Sequence, residues 1–265
     1  MDLSGLIASI FPLLVALAIS MARPMGVALV LPVFTRAQLG GPVQAGFAMA
    51  LALPAVPATA AALQAAGAVS GLQLGLLGFK EVVAGAVLGL LFGLPVWAVQ
   101  TAGELMDQQR GVGMNEGSEP GGGQTSISAA ILSLGAVTVF VVAGGLGMVA
   151  QALYGSYAAW PVLEPMPPFA PGAGAALLGM LDQVVRIGLT LAGPVLIALL
   201  VAELAVLLVA LAVQRLNVFD IAQTLKNVVF IGALLLYLEF LLDATAIELG
   251  AARQASALFQ QLFVP

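Results

Sequence analysis

FKEVVAGAVLGLLFGLPVWAVQTAGELMDQQRG, residues 79–111, opens on a lysine and a glutamate, runs without a charge from 82 to 103, and turns polar at Glu104, Asp107 and Arg110. About 20 apolar residues at 1.5 Å each cross a hydrocarbon layer of about 30 Å, so this run is long enough to span a bilayer as a helix. Pro95 lies inside it and predicts a kink, because proline lacks the N–H that continues the helical ladder. No strand-like alternation occurs in this stretch or elsewhere in the chain.

The rest of the sequence reads the same way. Of 265 residues, 61% are hydrophobic and 8% charged, against roughly 25% charged in an ordinary soluble domain. So few charges cannot cover a soluble globule, and the natural surroundings of most of the chain are lipid or the apolar flanks of other subunits. The expected fold class is all-α, a helical membrane-associated protein of kinked helical hairpins. The chain has neither cysteine nor histidine, which removes disulfides, thiolate nucleophiles, Cys/His metal sites and His-dependent triads. No cofactor is expected, and an enzyme has no residues to stand on. Two lysines and six singly spaced arginines offer no patch for nucleic acid.

Uncharged runs set the organisation. Residues 3–22 predict a first helix, ended by Arg23 and Pro24 and retained rather than cleaved, since Asp2 stands where a secretory signal carries positive charge. Residues 25–34 are a shorter run. Residues 37–79 predict two helical arms broken near PAVP, residues 54–57. Residues 1–103 then form N-terminal hairpins, 104–126 a polar glycine-rich loop, and 127–214 central helices carrying a proline-rich connector at 161–171. Residues 215–265 form a C-terminal hairpin with an amphipathic tail, and RLNVFDIAQTLKN, 215–227, a polar corner.

Two sets of polar residues stand out. Lys80, Glu81, Glu203, Glu239 and Asp243 fall at depths where a charge costs at least about 2.5–3.5 kcal/mol, so they are expected to be buried against protein or water. They read either as an ion relay or as contacts and helix ends inside an assembly. The second set is GVGMNEGSEPGGGQTS, 111–126. It has no lysine in a P-loop arrangement, and it reads as a solvent-exposed loop or as the occupant of an aqueous lumen.

Five stretches in order resemble one family: ARPMGVALVLPVF (22–34), the opening stretch 79–111, YGSYAAWPV (154–162), GPVLIALLVAELAVLLV (193–209) and LNVFDIAQTLKN (216–227). Together they resemble the flagellar and virulence type III secretion export-gate proteins of the FliR/SctT type, and SYAAWP in the third stretch and NVFDIAQTLKN in the fifth lean toward the virulence branch. The resemblance implies an export-gate fold in the bacterial inner membrane. It implies one copy of this subunit assembled with multiple copies of a larger and a smaller hydrophobic subunit, passing unfolded secreted proteins. It implies a pore plug at Arg110, Gly111, Gly113, Met114, Asn115, Glu116, Gly117, Glu119, Pro120, Gly121, Gly122 and Gly123; Met106 and Met114 read either as soft apolar seals or as ordinary core packing. Asn217, Phe219 and Lys226 would then contact the large export-gate subunit. The alternative is a stand-alone secondary transporter or proton channel with Glu203, Glu239 and Asp243 as its ion path.

Overall fold

The computed structural model describes residues 3–37, 39–67, 69–111, 126–165, 170–212, 218–251 and 259. Among these residues the structure is helical and contains no strand. The helices are α1 (Leu3–Val30), α2 (Pro32–Arg36), α3 (Gly41–Ala52), α4 (Val56–Ala66), α5 (Gly71–Arg110), α6 (Ile127–Val142), α7 (Gly145–Ala159), α8 (Ala173–Ala212) and α9 (Val218–Ala251). The chain divides into two compact units. The first holds Met1–Gly93, Gly144–Leu177 and Ala251–Pro265, the second Leu94–Ala143 and Leu178–Gly250.

In the first unit α1 does not stop at Arg23 and Pro24, as expected, but continues to Val30 with both residues inside it. The expectation took Arg23 for a charge leaving the apolar phase; it is instead fully buried and paired. The break near PAVP is present as a 3-10 turn at Leu53–Ala55 between α3 and α4. Ser20 on α1 donates to Thr59 on α4 (3.0 Å). Tyr154 on α7 donates to the Leu51 carbonyl of α3 (3.1 Å). α1 and α5 approach backbone to backbone: a Cβ on Gly85 would collide with the Arg23 carbonyl, and one on Gly26 with the Val82 carbonyl. Small residues at such crossings let main chains meet.

α5 is 40 residues long, about 60 Å at 1.5 Å per residue and twice the hydrocarbon thickness. Its start is a capping box, with Ser70 N–H donating to Gln73 Oε1 (2.8 Å) and Gln73 N–H to Ser70 Oγ (3.3 Å). It ends at Gly111, whose φ of 75° is the left-handed conformation that closes helices. The division between the units falls inside it, at Gly93 and Leu94, one residue before Pro95. Residues 104–110, expected within the polar loop, are therefore the last turns of α5.

The uncharged run from 127 is two helices, α6 and α7, with a break at Gly144, whose φ is 79°. Residues 161–165 and 170–172 of the proline-rich connector are non-helical. In the second unit, Gly188 of α8 packs on Ala98 and Thr101 of α5. α9 begins at Val218, so most of the expected polar corner, from 218 to 227, is helix, and the preceding 213–217 lie outside the described residues. Five of the described helical stretches are long and apolar enough to cross a membrane, and six if the α6–α7 pair is one span.

Candidate functional site

Two polar clusters sit on α5, one in each unit. In the first unit Arg23 donates from Nε to Glu81 Oε2 (2.7 Å) and from Nη2 to Oε1 (3.0 Å), a fork on a carboxylate with both side chains at 0% exposure. The same guanidinium donates to Ser156 Oγ (2.8 Å) and the Trp160 carbonyl (2.8 Å), and stacks on the Tyr157 ring at 4.1 Å. Lys80 donates to Glu81 Oε1 (2.9 Å) and to the carbonyls of Pro161 (2.8 Å), Val162 (2.7 Å) and Glu164 (3.1 Å). Two cations thus share one carboxylate, and connector carbonyls absorb the excess. The Pro161 carbonyl also accepts from Glu164 N–H (3.2 Å), and the Glu164 carbonyl from Trp160 Nε1 (3.0 Å). A cavity of about 640 Å³ lies beside the cluster, lined by Leu76, Phe79, Lys80, Trp160 and Leu163 among others. The Lys80 N–H groups are already engaged within the protein.

In the second unit Asp107, buried at 3% exposure, accepts four hydrogen bonds. Oδ2 takes Ser126 Oγ (2.7 Å) and Ser128 N–H (2.9 Å); Oδ1 takes Ser128 Oγ (2.6 Å) and Arg110 Nη1 (2.9 Å). Ser126 also caps α6 by accepting from Ala129 N–H. A carboxylate at this helix start meets the positive end of its dipole. Arg110 donates from Nε and Nη2 to Asn227 Oδ1 (3.2 and 3.1 Å) and lies over the Phe230 ring at 4.1 Å. Lys226 pairs with Glu203 (3.2 Å) and donates to the Gln109 carbonyl (3.4 Å).

The sequence-expected residues distribute unevenly over this geometry. Lys80 and Glu81 are buried. Glu203 is not: its side chain is 37% exposed and neutralised by Lys226. Glu239 and Asp243 are exposed on α9. Met106 is fully buried in α5, a core position rather than a free sealing side chain. Arg110 and Gly111 form the polar root of the glycine-rich stretch; Gly113, Met114, Asn115, Glu116, Gly117, Glu119, Pro120, Gly121, Gly122 and Gly123 lie outside the described residues, as does Asn217. Phe219 is in the first turn of α9. Among the described residues no group of three or more Asp or Glu comes together to hold a metal.

Sequence reasoning missed the partners: Arg23, Ser156 and the 160–164 carbonyls in one cluster, and Ser126, Ser128, Asn227 and Phe230 in the other. Arg23 carried a signal, a lone arginine between two uncharged runs. The serines carried none.

A chain whose described residues are all-helical, with five helices long and apolar enough to cross a membrane, is a multi-pass membrane protein. Residues 14–251 match the family described as bacterial export proteins, family 1. The chain is 32% identical over 217 residues to Yop proteins translocation protein T of Yersinia pestis, covering 81% of this chain and 82% of the relative. It is 30% identical over 172 residues to surface presentation of antigens protein SpaR of Salmonella typhimurium, covering 64% of each. It is 28% identical over 254 residues to secretion system apparatus protein SsaT of the same organism, covering 89% of this chain and 91% of the relative. The chain belongs to the bacterial export proteins, family 1, the FliR/SctT family of type III secretion export-gate proteins.

Proposed function

We propose that the chain is the single-copy subunit of an inner-membrane export gate in a virulence-type secretion apparatus. It assembles with multiple copies of a larger and a smaller hydrophobic subunit and touches the large export-gate subunit through the Asn217, Phe219 and Lys226 region. It performs no chemistry and uses no cofactor; it lines a path for unfolded secreted proteins. Residues 111–123 close that path at rest.

The observation that carries this reading is the family match over 14–251. It is supported by the placement of the glycine-rich stretch between two helix ends, Gly111 and Ser126, that are rooted on one buried carboxylate. Glycines make many backbone states available, and polar residues in a wet conduit carry no burial penalty, so such a stretch both fills a lumen and yields to a passing chain. The stand-alone transporter reading is weaker, since Glu203 is ion-paired and Glu239 and Asp243 are exposed.

Removing residues 111–123 from the assembled gate tests the closure. The complex should still be recovered, and the membrane should become leaky to small ions. Normal recovery with unchanged permeability would refute the closing role.

A further inference from the structure

Four groups converge on the Asp107 carboxylate, and three of them arrive from across the glycine-rich stretch. Ser126 Oγ, Ser128 N–H and Ser128 Oγ belong to the start of α6, while Asp107 and Arg110 belong to the last turn of α5. The chain leaves this point at Gly111 and returns to it at Ser126. The helices are also in backbone contact here, because a Cβ on Gly103 would run into Ser128 and Ala129. Gly111 leaves in a left-handed conformation, φ 75°, which sets the exit direction at low cost only for glycine. Bonds to a buried carboxylate are about twice as strong as neutral ones, and losing one leaves an unsatisfied buried group.

We infer that Asp107 is the positioning residue of the glycine-rich stretch, one carboxylate that fixes both the point where the chain leaves α5 and the point where it enters α6. Arg110 supplies the counter-charge and, through Asn227 Oδ1 and the Phe230 ring, ties that root to α9. This position also explains why the α5 C-terminus carries a buried acid beside apolar Met106. The geometric half of the inference stands on the contacts themselves. Its consequence for permeability rests on the closing role proposed above.

The chain has no cysteine, so a Gln108→Cys, Ile127→Cys pair places two spin labels at exposed sites on either side of the root. In the assembled gate the label–label distance should show one narrow peak. Asp107→Asn should abolish that single peak, and Ser128→Ala, which removes one hydroxyl and leaves the backbone bond, should broaden it. If Asp107→Asn does not assemble, the Ser128→Ala distribution decides. A distribution unchanged in the variant that assembles would overturn the inference. Ion leak is then read on the same samples. Broadening with a leak at normal recovery supports both the positioning role and the closing role. Broadening without a leak keeps the positioning role and refutes closure by this stretch.

Discussion

Among the described residues Glu81 is the only carboxylate ion-paired with two buried cations, and that asymmetry orders the consequences of substitution. Removing one partner of a buried pair leaves an uncompensated charge and costs roughly 3–5 kcal/mol; Glu81→Gln strands two cations at once. Lys80→Met leaves the Arg23–Glu81 fork neutral and intact; the Pro161 and Glu164 carbonyls keep a second donor, Glu164 N–H and Trp160 Nε1, and the Val162 carbonyl loses its Lys80 donor, at about 1–3 kcal/mol for a buried group left unpaired. Thermal unfolding of the purified protein in mild detergent should therefore show a larger fall in Tm for Glu81→Gln than for Lys80→Met. The reverse order would mean that the carbonyls, not the carboxylate, hold the cluster. The sequence made Lys80 and Glu81 conspicuous because an apolar run flanks them. It did not supply Arg23, 58 residues away, because pairing across that distance is set by how α1 crosses α5, and a lone arginine before a proline is equally well read as a helix end. Asp107 hid for a similar reason, since it looked like one polar residue among several.

At the scale of elements, the helices were legible from uncharged runs, whereas their boundaries were not. α1 ignores Arg23 and Pro24 because buried partners accept the charge, and α9 begins at Val218 because residues expected to turn lie against α5 and α8 through Lys226 and Asn227. The breaks at 53–55 and 161–165 appear where expected, at prolines. The α1–α5 crossing offers the sharpest check. At Gly85 an added methyl meets the backbone of Arg23, which cannot rotate away as a side chain can. Gly85→Ala should destabilise by about 1–3 kcal/mol, the range for forced overpacking, and should weaken the Arg23–Glu81 fork, which lies one turn away. Gly75→Ala on the same helix meets open space and should leave Tm unchanged or slightly raised. Equal losses at the two positions would show that helix geometry, not the crossing, is responsible.

For the whole molecule, the division at Gly93 and Leu94 within one continuous helix had no counterpart in composition, because the residues on both sides of it are equally apolar. What composition did convey is that the chain is incomplete alone. In the most apolar windows of the α8 and α9 stretches only 22% and 17% of residues are buried, and Leu207, Leu208, Leu211, Leu235 and Leu236 are among the exposed side chains. Contiguous apolar surface of this kind is covered by lipid or by other subunits. The clusters on α5 argue for subunits: a helix whose charges are already satisfied internally presents the rest of its surface for packing, not for transport chemistry. Affinity purification of the tagged chain from its native membrane in mild detergent, followed by native mass spectrometry, should recover one copy with multiple copies of two other hydrophobic subunits. The chain reconstituted alone in liposomes should carry no proton flux. Recovery as a lone monomer or homodimer, with flux abolished by Glu203→Gln, would overturn the export-gate assembly and transfer the function to the acidic residues of α8 and α9.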